Sequence, residues 1–441
     1  HPRLLLSTPP MKPRSCGVLF FSLMALCDNT RMEQQLISFL GELAKAMHVS
    51  GANSHDLERH VHQLGRRFGV EAHCFALPTM LTITLETAAE GQHSKLVRLP
   101  AYDYNMVRLI ALKDLNRKLY SLSQLDEAQR QLAHIMHTPS PWKPWQMVVC
   151  GFVLSSSIAL LLGGALPEMA VAGIVGLLFV LALLFLSARP GLSPVLPVLL
   201  CAFAALCTYA LAMLIPVTSP FVVILAGIVL LLPGFTITIA MIELATGNLL
   251  AGTGRLAGAF ILMLMMGAGV AIGTTLGTEW LPYQTLNSLD KLPDWTVWPC
   301  IALLGATLLV FLQAPLRALH IMMGACLLAF AVTTTVSGWL GPVAGAFTGA
   351  FSVALAGHLY QRVSGEPGIL VQIPGLITLV PGSVGFKGLH ALMEQDNLAG
   401  ISTITTMVIT GAALVIGTLL ANSLALSRLA RGAKSELETE S

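Results

Sequence analysis

The sequence predicts an α-helical polytopic membrane protein of about ten transmembrane helices, arranged as a 5+5 inverted repeat, with a small cytoplasmic α+β N-terminal domain. Of the 441 residues, 55% are hydrophobic and only 11% are charged, whereas soluble domains carry about 25% charged residues. Residues 1–146 hold 28 of the 48 charged side chains and residues 147–427 hold 14. The apolar part also carries a pattern that recurs in its two halves. This composition excludes an ordinary soluble enzyme and a disordered chain.

The amino-terminal extension, residues 1–31, has two interpretations. A basic stretch at 11–14 precedes the apolar run 17–27 and imitates a short secretory signal. Alternatively, translation starts at Met32 and the extension is upstream sequence. The charges of the loops favour the Met32 start, because a cleaved signal would place the basic loops outside the cell.

Residues 32–140 are predicted to form the soluble α+β domain. Two apolar stripes with helical spacing come first and consist of Leu36, Phe39, Leu40, Leu43 and Met47, then Leu57, Val61, Leu64 and Phe68. Asn53 or Ser54 is expected to cap the second helix, and Gly69 to end it. Three β-type runs follow at 70–77, 79–86 and 94–99, and two further helices are expected near 105–120 and 124–137.

The residues of this domain do not indicate an active site. It holds several histidines, but His60 and His62 point about 200° apart on a helix and cannot share one ion. No nucleophile-elbow, HExxH or phosphate-loop pattern occurs in the sequence. We therefore predict no enzymatic activity, no metal and no cofactor.

The charge balance and the cysteines argue against two further classes of protein. A net charge of +2 without a clustered basic patch gives no support for a nucleic-acid partner. The eight cysteines form no CxxC pair and have no regular spacing, so neither a disulfide framework nor a zinc site is indicated.

Apolar stretches of membrane-spanning length succeed one another from Met147 onward. Ten are expected, near 147–165, 169–187, 195–215, 220–246, 255–276, 296–314, 319–338, 341–361, 369–388 and 401–425. They form a first five-span unit at 147–276 and a second at 296–425, followed by a cytoplasmic tail at 426–441.

The basic residues of the membrane part predict its orientation. With the soluble domain in the cytoplasm, the inside positions carry Arg189, Arg255, Arg317, Arg362, Arg428, Arg431 and Lys434. The outside positions carry only Lys291 and Lys387. This bias follows the positive-inside rule, so the N-terminal domain and the C-terminal tail are predicted to be cytoplasmic.

A Pro-Gly pair interrupts the fourth and the ninth span, at Pro233-Gly234 and at Pro381-Gly382, 148 positions later. Further matches at offsets of 148 and 144 pair 250–252 with 398–400 and 267–276 with 411–420. Two tandem units with an odd number of spans must lie in opposite orientations. Inverted repeats with interrupted helices are the architecture of secondary transporters, so we predict a substrate site at the paired breaks. The alternative is a simple kink that neighbouring helices pack against.

Polar side chains close to the breaks complete the predicted site. A charge at bilayer depth costs about 2.5–3.5 kcal/mol on insertion scales, so Glu243 and Lys387 are functional candidates unless both reach an interface. The predicted substrate-binding residues are Pro233, Gly234, Thr236, Thr238, Glu243, Pro381, Gly382, Ser383 and Lys387.

Several stretches together resemble the bacterial threonine/serine exporter family. They are GANSHDLERHVHQLGRRFGVEAHCFALPTMLTITL (51–85), YDYNMVRLIALKDLNRKL (102–119), LLLPGFTITIAMIELATGNLLAGTGRL and ITLVPGSVGFKGL. The resemblance extends from about Met32 to Leu429, and the two halves look like two proteins that some bacteria encode separately. It implies efflux of threonine and serine across the bacterial cytoplasmic (inner) membrane, driven by the proton gradient.

A role for each candidate follows from the chemistry of a zwitterionic substrate. The helix starts at Gly234 and Gly382 would offer backbone N–H groups to its carboxylate. Glu243 would hold its ammonium group or carry the coupling proton, and Thr236, Thr238 or Ser383 would bond its hydroxyl. The expected partners are threonine, serine or a dicarboxylate as substrate, protons in antiport, and the lipid bilayer, and a homo-oligomer is compatible with the sequence.

Two alternatives stay open. The split relatives look like succinate exporters, and a succinate site would need a second cation, for which Lys387 is the candidate. The chain could also be a membrane-tethered enzyme or sensor that uses the soluble domain.

Overall fold

The computed structural model describes residues 34–87, 91–100, 104–119, 124–283, 292–380 and 382–439. The predicted extension 1–31, Lys291 and Pro381 lie outside the described residues. The chain forms an N-terminal layer, residues 34–137, and a membrane layer that begins at Pro144.

The N-terminal layer combines four helices with one antiparallel sheet. Helix α1 spans residues 34–49, followed by α2 (Ser54–Arg67), β1 (Glu71–Ala76), β2 (Met80–Thr87), β3 (Gly91–Arg98), α3 (Met106–Lys118) and α4 (Leu125–His137). The strand order is β1-β2-β3, with Glu71 opposite Glu86 and Met80 opposite Arg98. The predicted helices and strands of this layer are thus present, with ends that differ by a few residues.

The core of this layer lies between its helices and one face of the sheet. The stripe residues Leu40, Leu57 and Leu64 are fully buried, and the alternation along β2 buries Leu81, Ile83 and Leu85 as well. Of the two predicted capping residues, Asn53 caps α2, because its Oδ1 accepts a 2.7 Å hydrogen bond from the N–H of Asp56. The first residue of α2 is therefore Ser54.

The membrane layer consists of apolar helices that follow one another along the chain. They are α5 (Pro144–Leu161), α6 (Leu166–Ser187), α7 (Leu196–Ala212), α8 (Pro220–Gly227), α9 (Gly234–Ala245), α10 (Leu249–Trp280), α11 (Val297–Phe311), α12 (Leu319–Leu340), α13 (Pro342–Ser364), α14 (Ile369–Leu379), α15 (Gly382–Met393) and α16 (Asn397–Thr439). Within the described residues, nine spans are long and apolar enough to cross a membrane, or ten if the bent pair α8–α9 is one span. This confirms a polytopic helical membrane protein of about ten spans.

Two spans are interrupted where the Pro-Gly pairs occur. Helices α8 and α9 meet at an angle of 51°, and a short 3₁₀ turn at Val229–Leu231 precedes Pro233. Helix α14 ends at Leu379, and α15 begins at Gly382. Proline lacks the N–H that would continue the helix, so each break leaves backbone groups without their usual partner.

Two turns recur at nearly the offset of the sequence matches. Gly247 and Gln395, 148 positions apart, both have positive φ, 89° and 66°, and end the same hydrogen-bonded turn between α9 and α10 and between α15 and α16. Gly163 and Gln313, 150 positions apart, do the same with φ of 91° and 49° after α5 and after α11. Because positive φ is uncommon outside glycine, its recurrence in both halves supports the predicted repeat.

The two halves of the membrane layer contact each other in a reciprocal pattern. Helix α5 packs on α11, α9 packs on α15, and α10 contacts α15 as α16 contacts α9. Trp142, just before α5, donates from Nε1 to the carbonyl of Ala314, just after α11, at 2.9 Å. The start of α5 therefore lies beside the end of α11, and these two helices run in opposite directions.

The glycines at four-residue spacing in α10 serve close helix packing. A Cβ built on Gly269 or Gly273 would collide with the carbonyl oxygen of Val198 or Ala202 in α7, and one on Gly417 in α16 would collide with the carbonyl of Phe347 in α13. Small residues let helix backbones approach in membranes. These glycines are accounted for by packing.

Candidate functional site

The first residues of α9 and α15 lie against each other within the membrane layer. A Cβ built on Gly234 would lie 2.9 Å from Cα of Gly382, and one built on Gly382 would lie 2.8 Å from Cα of Gly234. Both glycines are buried, and neither position has room for a side chain. We call this contact the glycine crossing. The first turn of a helix carries N–H groups without an intrahelical acceptor, and two such first turns meet here.

The hydroxyl candidates lie within the first two turns after the crossing. Thr238 is buried, and its Oγ1 donates a 3.3 Å hydrogen bond to the carbonyl of Gly234. Thr236 and Ser383 are half-buried. Pro233 precedes α9 and is buried, whereas its counterpart Pro381 lies outside the described residues.

Lys387 lies on α15, in the second turn after the crossing. It is half-buried, and among the described residues it makes no hydrogen bond or ion pair. His390, nearly one turn further, stacks on Phe221 with ring centroids 3.9 Å apart and lies 3.2 Å from a carboxylate oxygen of Glu394. The polar groups that follow the second break thus line up along α15.

Glu243 forms a buried ion pair with Arg255. Nε of Arg255 lies 2.9 Å from Oε2 and 3.1 Å from Oε1 of Glu243, and the exposed fractions of the two side chains are 4% for Arg255 and 1% for Glu243. The sequence predicts Arg255 at the inside end of the span 255–276, and the structure has it buried in the second turn of α10. The desolvation cost of each charge is offset by the other.

A second contact joins Glu243 to the N-terminal layer. Oε1 of Glu243 accepts a 3.2 Å hydrogen bond from the backbone N–H of Ser54, the first residue of α2. A helix start carries a partial positive charge and stabilises a nearby carboxylate. Oε1 of Glu243 therefore accepts from two donors, the guanidinium of Arg255 from its own unit and a backbone N–H from the layer that docks on it.

Two titratable groups of the N-terminal layer surround this pair. Burial raises the pKa of the Glu58 carboxyl, and the charge of Glu243 acts in the same direction, while the Ala76 N–H and the Asn248 side chain oppose the rise. Burial lowers the pKa of His48 to about 4, and the charge of Arg255 adds to that effect. The interface between α2 and the α9–α10 turn is thus polar, enclosed and charged.

Tyr104 extends from the N-terminal layer to the first turn of α9. Its ring packs on the ring of Phe235 at a centroid distance of 5.4 Å, and it also packs against the apolar cluster whose buried members include Met106 and Leu370. Phe235 is the second residue of α9. The N-terminal layer therefore contacts the chain directly beside the glycine crossing.

The same layer also docks on the second half of the membrane layer. The N–H of Met106 donates to the carbonyl of Leu312 at 3.0 Å, and Nδ2 of Asn105 donates to Oε1 of Gln313 at 2.6 Å. Ile369, at the start of α14, packs against the core of the N-terminal layer. The layer thus bridges both halves.

The sequence does not reveal the partners of Glu243. Arg255 follows twelve positions later, beyond the turn at Gly247, and only that spacing and the scarcity of charge in the region could have suggested the pair. Ser54 is 189 positions away from Glu243, and no sequence pattern connects them.

One cluster of the described residues has the types of side chain that bind metals. Glu71, His73 and Glu86 lie on the outer face of the sheet with ligand atoms within 4.8 Å of one another, and all three are exposed. Exposed acidic groups often lie together without an ion, and Nε2 of His73 lies 3.6 Å from Oε1 of Glu71. We assign no function to this cluster.

Comparison with known families gives matches over both halves of the chain. The model of the threonine/serine exporter family matches residues 38–277, and a second model described as threonine/serine exporter, ThrE, matches residues 296–424. No solved structure matches the chain.

The similar proteins come from fungi and from a bacterium. Pheromone-regulated membrane protein 10 of Eremothecium gossypii is 23% identical over 381 residues, 83% of this chain and 51% of that protein. An uncharacterized protein of Schizosaccharomyces pombe is 23% identical over 380 residues, 79% of this chain and 48% of that protein. A Mycobacterium tuberculosis protein named probable threonine/serine exporter is 24% identical over 413 residues, 87% of this chain and 75% of that protein. The chain therefore spans about half the length of the fungal relatives.

Proposed function

The chain belongs to the threonine/serine exporter family, and we propose that it is a secondary transporter that exports threonine and serine. The family matches and the nine or ten apolar spans of the described residues make it a multi-pass membrane protein of an exporter family. Membership favours transport over the alternative of a membrane-tethered enzyme or sensor. Substrate, coupling ion and mechanism are parts of the proposal.

The glycine crossing is the observation on which the proposed substrate site rests. Interrupted helices whose first turns meet inside a membrane protein provide N–H groups at a depth where lipid offers none. A substrate carboxylate would accept from the first turns of α9 and α15. Thr236, Thr238 and Ser383 lie close enough along the same helices to supply the hydroxyl that would bond the threonine or serine side chain.

The mechanism we propose is alternating access between two inverted units. The opposite directions of α5 and α11 and the reciprocal contacts between the halves support an inverted repeat. Rocking of one unit against the other would pivot at the glycine crossing, where two backbones meet without side chains. The crossing would then open to one face at a time.

Glu243 is the proposed acceptor for the substrate's ammonium group or for a coupling proton. In this structure Oε1 accepts from Nε of Arg255 and from the N–H of Ser54, whereas Oε2 accepts no hydrogen bond from the described residues and lies 2.9 Å from Nε of Arg255. The ammonium group or the proton would bind at Oε2. Substrate arrival would then act on a carboxylate that also contacts the N-terminal layer.

The proposed location has the N-terminal layer and the end of α16 on the cytoplasmic side of the membrane. This orientation rests on the bias of basic residues. The relatives come from fungi as well as from a bacterium, so the bacterial inner membrane stays a prediction and the orientation is proposed independently of it.

Efflux measurements test the proposal. Cells loaded with a threonine-containing dipeptide are followed for release of threonine, serine and succinate, with and without a protonophore, against cells that lack the protein. We expect faster efflux of threonine and serine that the protonophore slows. Equal efflux from both kinds of cell would contradict an exporter, and flux that ignores the protonophore would contradict proton coupling.

A further inference from the structure

The ion pair of Glu243 and Arg255 occurs in only one of the two corresponding turns. The α9–α10 and α15–α16 turns have the same hydrogen bonds, because the N–H of Asn248 donates to the Glu243 carbonyl at 2.8 Å and that of Asp396 to the Ala391 carbonyl at 2.9 Å. Ala391 and Thr403 stand in the second turn where Glu243 and Arg255 stand in the first. The turn therefore forms without an ion pair.

What distinguishes the first turn is the N-terminal layer that docks on it. Glu243 accepts from the N–H of Ser54, and Pro78, in the turn between β1 and β2, contacts α10 at Gly254. The charges are thus present at the turn that receives a docking partner. When the layer undocks, the buried carboxylate of Glu243 loses the hydrogen bond that the Ser54 N–H donates. Losing a hydrogen bond to a buried carboxylate costs free energy, so this contact favours the docked layer.

The layer is also positioned to obstruct access to the glycine crossing. Tyr104 packs on Phe235, the second residue of α9. The same segment of the layer is held on the second unit through Asn105 and Gln313 at 2.6 Å. Because the N-terminal layer is fixed to both units on one face, it restrains their relative movement. It also covers the first turn of α9 from that face.

We propose that the N-terminal layer is a gate: the contact of Ser54 with Glu243 and the insertion of Tyr104 beside Phe235 hold the site closed on this face, and transport requires the layer to withdraw from α9. Arg255 holds the Glu243 carboxylate in place, so that it meets the start of α2 each time the layer returns. This inference rests on the proposed export function and gives the layer its role in it.

A reversible cross-link tests whether withdrawal is required. A Cβ built on Gly254 lies 3.5 Å from Cγ of Pro78. A cysteine at position 78 carries its sulfur one bond beyond Cβ, as Cγ is, so the two side chains are close enough to be joined by a disulfide. The full chain carrying Pro78→Cys and Gly254→Cys is oxidised in membranes and assayed for threonine efflux, then reduced and assayed again. We expect oxidation to stop efflux and reduction to restore it.

A matched control places the disulfide within the layer. Thr84 and Ser94 face each other across β2 and β3, with their hydroxyl oxygens 3.0 Å apart, so the pair Thr84→Cys and Ser94→Cys receives the same oxidation without fixing the layer to α10. Efflux by this control is expected to survive oxidation. If the 78–254 cross-link forms and efflux continues unchanged, the gate is contradicted. If the wild-type chain gives no efflux at all, the export function itself has failed.

Ser54 allows the docking contact to be tested without an efflux assay. Ser54→Pro removes the N–H that reaches Glu243, and proline is well tolerated at the first position of a helix. The preceding residue, Asn53, has φ −78° and ψ 163°, which suits a residue before proline. Ser54→Ala keeps the N–H and serves as the matched variant. We expect Ser54→Pro to lower the yield of the 78–254 disulfide several-fold relative to Ser54→Ala. Equal yields in the two variants would overturn the role of this contact.

Discussion

At the scale of single residues, the glycine crossing is the position with the least tolerance for change. A methyl group on Gly234 would lie 2.9 Å from Cα of Gly382, well inside the roughly 3.5–4.0 Å of an ordinary carbon contact. Gly234→Ala is expected to separate α9 from α15 and to lower threonine efflux at least about tenfold, equivalent to about 1.4 kcal/mol. Efflux is measured at equal membrane abundance of the two proteins.

Gly258 provides the control for that substitution. It lies in α10, and a Cβ built on it has nothing within 4 Å. Gly258→Ala should therefore export like the wild-type chain. Normal export by Gly234→Ala would show that the crossing does not need to be tight and would remove the basis for a site there.

A substitution of Lys387 distinguishes between the two proposed substrate classes, an amino acid and a dicarboxylate. Among the described residues it has no ion-pair partner, and a dicarboxylate would need a second cation that a zwitterionic amino acid does not. Lys387→Ala is expected to leave threonine efflux intact and, if succinate is also exported, to abolish succinate efflux. Loss of threonine efflux with normal membrane insertion would contradict this division of roles.

The lowered pKa of His48 predicts how the stability of the N-terminal layer changes with pH. Burial lowers its pKa from 6.5 to about 4, with Arg255 acting in the same direction and the carbonyls of Pro100 and Pro78 opposing. Between these values the unfolded chain binds a proton that the folded chain does not bind, so the stability of the layer is expected to fall as the pH is lowered from 6.5 to about 4. Above pH 6.5 both states are neutral at this position, and no effect is expected there.

Thermal unfolding of the full chain in detergent at pH 7.5 and pH 5 measures this effect. His48→Gln, which does not titrate, should show a smaller loss of stability between the two pH values. If the variant and the wild-type chain lose the same stability, another group is responsible.

The sequence predicts the residues of the crossing but not those that surround Glu243. The Pro-Gly pairs recur at one offset, and helices begin directly at Gly234 and Gly382 because proline cannot continue a helix. The role of these residues in substrate binding stays a prediction. Arg255 pairs with Glu243 across a turn of the same unit. Ser54 reaches Glu243 only through the docking of a separate layer, which leaves no local pattern in the chain.

At the scale of elements, two of the turns contain a glutamine with positive φ, and among the described residues only one of these glutamines contacts the N-terminal layer. Gln395 adopts φ 66° between α15 and α16, where its counterpart is Gly247. Gln395→Gly is expected to raise the stability of the full chain by about 1 kcal/mol, since only glycine adopts this conformation without strain. The measurement is the thermal unfolding midpoint in detergent.

Gln313, with φ 49°, is the contrasting position. Its Oε1 accepts from Asn105 of the N-terminal layer, so Gln313→Gly loses a docking contact along with the backbone strain. We expect Gln313→Gly to give no gain in stability. An equal gain at both positions would mean that the contact with Asn105 contributes little.

The helices are predicted more accurately than their ends. Apolar runs identify every span, yet α10 extends over Leu249–Trp280 where hydropathy indicates 255–276. Its first turns carry Arg255 and two glycines, Gly252 and Gly254, so hydropathy places the start of the span later than the start of the helix. Hydropathy likewise predicts one span over 220–246, and the bend of 51° within it is visible in the sequence only as Pro233-Gly234.

At the scale of the whole molecule, the halves hold together through contacts that do not involve their connection. Helix α5 packs on α11, and α9 packs on α15, while the N-terminal layer contacts both halves. Residues 1–283 and 292–441 produced as two chains are therefore expected to co-purify from membranes and to restore efflux. The measurement is recovery of the second chain on a tag carried by the first.

Gly269 and Gly273 pack α10 on α7 within one half, so larger residues at these positions serve as the comparison. Such variants are expected to lower the stability of the first chain without preventing the folded first chain from recovering the second. Failure of two wild-type halves to associate would mean that the covalent connection is needed for assembly.

The docking of the N-terminal layer lies beyond what the sequence predicts. The composition separates a charged part from an apolar part, and the positive-inside bias predicts an orientation. Neither property indicates which surfaces of the two parts contact each other. Contacts such as Tyr104 with Phe235 join residues more than a hundred positions apart. They depend on the shapes of two complete units, which only the folded chain defines.

The position of the N-terminal layer has a consequence for the energetics of a transporter with inverted halves. In the proposed alternating-access cycle, two halves that exchange conformations would give two end states related by a pseudo-two-fold axis, and without other influences these would be nearly equally populated. The layer attaches at the α9–α10 turn and the α11–α12 turn, and would therefore add its docking free energy to one end state alone. Each 1.4 kcal/mol of that energy shifts the resting ratio about tenfold. A domain that need not touch the substrate would thus decide on which side the empty protein waits.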